Sequence, residues 1–257
     1  MFKKFIKILL LVILVGKVYP QGVTGTFKAS QLNFERVKKA YKTKYTDLKK
    51  EVTNAGFDIN AIEVYIRVFK LEKKLEVWMK NLPTGKAGKG DVKFKLFKTF
   101  PICASSGELG PKRRSGDGQV PEGFYEIETF NPSSSYHLSM KVSYPNSSDR
   151  LKAEGKTGGD IMIHGNCVTI GCIPIEDDPI EELYVLCVEA KDRKSKIRTD
   201  IFPCKFTDEN IKMLNKNFSK EKNAFWETLK PAYDSFEKSY SIPKFNIDKK
   251  GNYLVVK

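Results

Sequence analysis

Near residue 56 the chain changes hydrophobic period, and that switch limits the architectures open to it. Before it, Phe34, Val37, Tyr41, Tyr45, Leu48 and Val52 recur at spacings of three and four, the stripe of one helix face. After it, Ile62, Val64, Ile66 and Val68 alternate with other side chains, and Leu75, Val77 and Met79 do the same. Period two marks half-buried strands, here joined at Glu72-Lys73-Lys74. Ser30 is the expected cap of the helix, which runs to about Val52, and Gly56 its stop signal. A helix leading into paired strands predicts an α+β chain.

The pattern continues with a loop at 84–90 and a strand begun by Val92, Phe94 and Leu96. From Ser105 to Glu122 the sequence is rich in Gly, Pro and charge, which predicts a long surface loop. Loops of that size inside a compact domain are often functional. Gly123 to Phe130, Tyr136 to Val142 and Ile161 to His164 read as strands. Asp178 is the expected cap of a helix through Val188, with Pro179 at its first position. Beyond Phe206 the apolar spacing turns helical again, with Pro231 kinking or dividing the second stripe, and Tyr253 to Val256 suits a last strand. The expected organisation is a signal segment (1–21), a helical segment (22–58), a β-rich centre (59–200) and a C-terminal helical extension (201–257).

The first segment carries Lys3, Lys4 and Lys7 ahead of the apolar run Ile8 to Val15. That run is too short to span a bilayer and suits a secretory signal, cleaved near Gln21, with an uncleaved anchor as the alternative. Export to the periplasm or cell envelope follows, with no stable membrane span after cleavage. Losing the segment's four lysines takes the net charge from +14 to +10. Such a surface attracts polyanions. For an exported chain without nucleic-acid motifs, an anionic cell envelope suits this charge better than nucleic acid does. The five cysteines are an odd number, so at least one thiol is unpaired in a monomer. Cys103, Cys167, Cys187 and Cys204 are open to pairing or to burial as small apolar residues.

The chemistry concentrates at Ile161 to Ile175. His164 ends a short apolar strand and Cys172 follows a glycine eight residues later. An imidazole can take the proton of a thiol and make it a nucleophile. The sequence contains only two histidines, His137 and His164, so the candidate base is nearly forced. Acyl transfer also needs donors for a developing oxyanion, and the amides of residues 170 to 172, around Gly171, are candidates. Thr169 is positioned to orient the histidine or to bond the loop backbone. A metal set of His164, Cys167 and Cys172 lacks a fourth ligand and a standard zinc spacing, so neither metal nor cofactor is expected.

These residues resemble the active-site motif of the YkuD-type L,D-transpeptidases, a His-Gly followed by Ser/Thr-x-Gly-Cys. Here the pattern is His164-Gly165 and Thr169-Ile170-Gly171-Cys172. Gly116-Asp117 with Val120-Pro121-Glu122-Gly123-Phe124-Tyr125-Glu126-Ile127 is similar to the family's Gly-Asp…Thr-Pro-x-Gly-x-Tyr-x-Ile block. Gly110-Pro111-Lys112, His137-Leu138-Ser139, Tyr144-Pro145-Asn146 and Asp149-Arg150 point to the YafK-like, murein branch, as do Ile66 to Lys70 and Leu75 to Trp78. The likeness spans roughly residues 60 to 190 in order.

The resemblance implies a peptidoglycan-remodelling enzyme of α+β class, with residues 59–200 as a β-sandwich-like L,D-transpeptidase catalytic domain flanked by the N-terminal and C-terminal helices. Cys172 attacks the carbonyl at the L-centre of diaminopimelate in a stem peptide, D-alanine leaves, and a thioester remains. His164 acts as base and then acid. An amine acceptor gives a cross-link, water gives a carboxypeptidase or hydrolase, and in this branch a wall-attached lipoprotein is a further partner, through cleavage of its bond to diaminopimelate. Gly165 and Arg150 are the implied substrate contacts, Arg150 as the cation for a substrate carboxylate; His137 is read as structural or as substrate-adjacent, and Lys112 to Arg114 as the flank of the groove. Two positions depart from the family: Ile170 stands where many members have a second histidine, and Pro174 where Arg or Asn is common. A non-catalytic wall-binding protein is the reading from another class. Cys103→Ala is expected to leave activity largely intact.

Overall fold

The computed structural model describes residues 26–83 and 93–256. The expected signal segment, the 84–90 loop and Val92 lie outside the described residues.

Two helices open the described chain, α1 (Phe27–Gln31) and α2 (Glu35–Asn54). The sequence predicts one helix capped by Ser30. Instead Thr26 caps α1 through its side chain, Ser30 lies within that helix, and Phe34 begins α2 without a side-chain cap. The apolar stripe is as expected, with Val37, Ala40, Leu48 and Val52 buried. A short 3-10 turn, Ile59–Ala61, leads into the hairpin β1 (Ile62–Phe69) and β2 (Lys74–Asn81).

The hairpin belongs to one eight-stranded sheet. Its other members are β3 (Lys95–Pro101), β4 (Gly123–Asn131), β5 (Ser139–Val142), β6 (Met162–His164), β7 (Ile173–Pro174) and β8 (Arg198–Phe202). Their order is β3-β2-β1-β8-β4-β5-β6-β7. β4 changes partner along its length: Gly123 to Glu126 pair with β8, Ile127 to Asn131 with β5, and the register shifts between Ile127 and Thr129. A shift of this kind bends the strand. The sheet curls there into two halves, which is how one sheet supplies the layered β centre.

Both faces of β1 are covered. Ile62, Val64, Ile66 and Val68 pack in the main core with α2 and with α4 (Asp177–Asp192). Tyr65 and Phe69 point the other way, toward α6 (Lys220–Ser239), where Tyr65 meets Phe236 edge-on at 4.9 Å. Each fully buried aliphatic side chain of this kind is worth roughly 1.5–3 kcal/mol. Arg67, 1% exposed, is held between these rings, 4.7 Å from the Phe236 centroid, with Glu237 at 2.6 Å.

Glu176 rather than Asp178 is the N-cap of α4, and Asp177 opens the helix. Asp177 Oδ1 instead accepts from the Asn166 amide at 2.7 Å, tying the helix start to the loop after His164. A short α3 (Ser147–Leu151) follows β5, and α5 (Asp208–Asn217) precedes α6. α6 runs unbroken through Pro231, which lies exposed, where water can satisfy the carbonyl left without a donor. The expected boundary at 200/201 falls inside β8, at the middle of the sheet. A two-stranded sheet, β9 (Phe245–Ile247) with β10 (Tyr253–Val255), closes the chain against Phe124.

Candidate active site

β6 and β7 run parallel, with Ile163 opposite Ile173 and His164 opposite Pro174. Cys172 stands one residue before β7, so continuing the register sets it beside Met162, diagonal to His164. Diagonal neighbours of a regular ladder lie roughly 7 Å apart. The Cys172 thiol donates to the Asp160 carbonyl at 3.6 Å, with no hydrogen bond to the His164 ring. His164 is 1% exposed, and its Nδ1 donates to the Gly165 carbonyl at 2.5 Å. That bond holds the tautomer whose Nε2 is free to accept a proton. The Tyr136 ring lies 4.8 Å from the imidazole.

Burial pushes the Cys172 thiol up from its ordinary value; the Met162 amide and the Lys112 ammonium pull the other way. Burial also lowers the His164 imidazole, against the opposing bond to Gly165. Near neutral pH the resting pair is thus a thiol beside a neutral imidazole, suited to general-base activation during attack.

Thr169 bonds the loop backbone rather than the histidine. Its Oγ1 accepts from the Gly171 amide at 3.1 Å and the Cys172 amide at 2.8 Å, and donates to the Cys172 carbonyl at 2.8 Å. The Gly171 amide, one of the expected oxyanion donors, thus has an internal acceptor in the Thr169 hydroxyl. Gly171 has φ +132°, and a Cβ there would stand 3.1 Å from the Gln119 carbonyl. The close approach its glycine permits is to the 105–122 loop, not to open space.

That loop has no regular structure, but it is pinned throughout. The Asp117 carboxylate accepts from the amides of Arg113, Arg114 and Gln119 and pairs with the Lys112 ammonium. Lys112 is 5% exposed, so it is a buried cation near the thiol rather than an exposed flank of a groove. Farther along, Glu122 is buried and accepts from the Gly110 amide, Lys70 Nζ and Trp226 Nε1. Lys222 of α6 reaches Glu108 Oε1 at 2.6 Å and the Leu109 carbonyl at 3.1 Å.

Between the loop and the end of the β1–β2 hairpin lies a cavity of about 230 Å³. Cys172 lines it together with Val68, Lys73, Ile102, Glu108 and Ile173, while His164 does not.

The remaining implied contacts are placed elsewhere. A Cβ on Gly165 would lie 2.5 Å from Asp177 Oδ1 and 3.0 Å from the His137 Cβ, so the residue is enclosed by protein. His137, at φ +67°, joins Glu181 of α4 through Nε2 at 2.8 Å and gives its carbonyl to Arg36. Arg150 is exposed on α3 and does not line the cavity. The neighbouring motif residues build the fold: Tyr144–Pro145 is cis, and Asn146 and Asp149 form a capping box.

Cys103 and Cys167 form a disulfide, which takes Cys167 out of the His164–Cys167–Cys172 ligand set. These two cysteines also lie with Glu176 within 4.8 Å, but bonded sulfurs are not thiolate ligands. The odd cysteine count signals an unpaired thiol but leaves the pairing open. Glu122 and Lys70 fall within family-like blocks, but their contact with each other and with Trp226 gives no sequence signal, because only the fold brings 70, 122 and 226 together.

A family profile described as YkuD, the L,D-transpeptidase catalytic domain, matches residues 79–197. Over 197 residues the chain is 36% identical to the Escherichia coli (strain K12) protein named "Putative L,D-transpeptidase YafK", covering 76% of this chain and 74% of that one. Among solved structures, the helical cell shape determining protein Pgp2 of Campylobacter jejuni is similar at 19% identity and a TM-score of 0.43, over 74% of each chain. Bd1075 of Bdellovibrio bacteriovorus aligns at 18% identity and a TM-score of 0.38, over 76% of this chain and 77% of that one.

Proposed function

Since the chain belongs to the YkuD family of L,D-transpeptidase catalytic domains, we propose that it remodels peptidoglycan through an acyl-enzyme on Cys172. One observation carries this reading. Among the described residues Cys172 is the free cysteine that lines a cavity, while Cys187 and Cys204 are buried and Cys103 and Cys167 are bonded to each other.

The reaction begins when His164 Nε2 takes the Cys172 proton as Sγ attacks the carbonyl carbon at the L-centre of diaminopimelate. The tetrahedral intermediate collapses with cleavage of the bond to D-alanine, whose amine takes the proton from the imidazolium. The thioester is resolved by an amine of a second stem, with His164 again accepting and returning the proton. The same thiol can cut the bond between diaminopimelate and a wall-attached lipoprotein, whose amine then leaves with the imidazolium proton while water resolves the thioester. With the Gly171 and Cys172 amides held by Thr169, oxyanion stabilisation requires the Thr169 hydroxyl to yield them or the Ile170 amide to serve.

Action on peptidoglycan places the protein outside the cytoplasmic membrane, with residues 1–21 as its export signal. No helix among the described residues is long and apolar enough to cross a membrane. The organisation we propose keeps a catalytic unit from about residue 59, extended through β8 and braced by α6.

Incubating the protein with disaccharide-tetrapeptide and reading product masses tests the proposal. Cross-linked dimers, with a thioester adduct on Cys172 that Cys172→Ala abolishes, are the expected result. Shortened stems assign hydrolysis to the same site. Turnover persisting in a folded Cys172→Ala variant overturns the mechanism.

A further inference from the structure

The cavity beside Cys172 has its own charge pattern. Its apolar wall includes Val68, Ile102 and Ile173. Three other lining residues are ionisable, and two are already neutralised. Lys70 is paired with Glu122 at 3.0 Å, and Glu108 with Lys222 at 2.6 Å. The third, Lys73, is exposed, and among the described residues its ammonium has no carboxylate or hydrogen-bond partner.

Lys73 is nevertheless fixed in place. It stands at the β1–β2 turn with φ +50°, its amide donating to the Lys70 carbonyl and its carbonyl accepting from the Ile102 amide at 2.8 Å. The adjacent Glu72 turns its carboxylate away, to the Lys205 amide and the Asn210 side chain. At about 230 Å³ the cavity is smaller than the ~300–1,000 Å³ typical of drug-sized ligands, so it suits one side chain of a larger substrate. Apolar walls beside an unpaired cation fit a methylene chain that ends in a carboxylate.

We propose that Lys73 is a substrate-binding residue, taking the carboxylate at the far end of the diaminopimelate side chain whose L-centre carbonyl meets Cys172. This rests on the acyl-transfer reading above. It gives the cation role expected of Arg150 to a lysine some eighty residues upstream, in a chain where Pro174 cannot supply it.

Kinetics on two tetrapeptides test the assignment, one with the free side-chain carboxylate and one with it amidated. On the free acid, Lys73→Ala is expected to raise KM about tenfold with kcat within about twofold, the size of one lost charge-assisted bond at a part-exposed site. Lys73→Arg restores KM. The amidated peptide costs the wild type the same factor and Lys73→Ala nothing further; if the wild type no longer turns it over, the free-acid comparison decides. Lys73→Asn, which suits the left-handed backbone, replaces the alanine variant if that fails to fold. An unchanged KM for folded Lys73→Ala or Lys73→Asn, or a further tenfold loss on amidation in that variant, overturns the proposal while leaving the acyl-transfer reading intact. A wild type that turns over neither peptide and acquires no adduct on Cys172 overturns both.

Discussion

Thr169 and Cys172 close on each other from both sides: the Cys172 amide donates to the Thr169 hydroxyl at 2.8 Å, and that hydroxyl donates to the Cys172 carbonyl at 2.8 Å. The Gly171 amide shares the same oxygen. One hydroxyl thus sets the backbone on which the nucleophile stands.

Thr169→Val keeps the side-chain volume and removes all three bonds. Turnover is expected to fall about 10- to 100-fold, the size of effect that an ångström of misplacement produces. Thr169→Ser retains most of the rate. Titration of accessible thiol should be unchanged, separating loss of position from loss of the nucleophile. Wild-type turnover in Thr169→Val would show that the hydroxyl positions nothing.

The pair's resting charge sets the pH profile. Burial raises the Cys172 thiol and lowers the His164 imidazole, so near neutrality neither is ionised. Alkylation of Cys172 by iodoacetamide should rise steadily with pH into the alkaline range. The acid limb of kcat/KM should lie below the ordinary imidazole value of about 6.5. A plateau of alkylation between about pH 6 and 8, the mark of a thiolate–imidazolium pair, is the contrary outcome.

Cys103 is dispensable on sequence grounds, but its bond to Cys167 changes that expectation. The bridge joins the chain just after β3 to the loop between His164 and Cys172, and the Cys103 amide also donates to the Pro174 carbonyl at 3.1 Å. A Cys103→Ser/Cys167→Ser variant is expected to lose about 2–4 kcal/mol of stability. Its turnover should fall while the Cys172 adduct still forms. Thermal melts with and without reductant measure the first effect, since reductant should shift only the wild type. Identical melts under both conditions would count against the cross-link.

What the sequence made legible follows from range. The hairpin, the strand ending at His164 and the free thiol at Cys172 are local patterns, and each stands where period and spacing put it. Helix caps were misplaced because competing side chains sit within a few residues: Thr26 acts instead of Ser30, and the Asp177 carboxylate serves the Asn166 amide. Gly165 and Gly171 mark close approach, but by Asp177 and Gln119 of the protein itself rather than by substrate. Least legible were contacts across the fold, among them Lys73 at the Cys172 cavity and the α6 side chains on the 105–122 loop.

The contact with most at stake is Glu122, fully buried, which accepts from Lys70 at 3.0 Å and from the Trp226 indole at 2.6 Å. Lys70 also donates to the carbonyls of Gly110 and Val120, so one ion pair fixes two points of the cavity loop. Burial lowers the Lys70 ammonium, and Glu122 is the first influence opposing this. Glu122→Ala strands that cation and is expected to cost about 3–5 kcal/mol. Trp226→Phe, which removes a single bond to a charged acceptor, should cost about 1.5–3 kcal/mol. If the loop is held this way, both changes also quicken labelling of Cys172 by a bulky maleimide, since the wall beside it loosens. Denaturant melts and labelling rates decide together: a Glu122→Ala protein with wild-type stability and labelling would show that α6 does not brace the site.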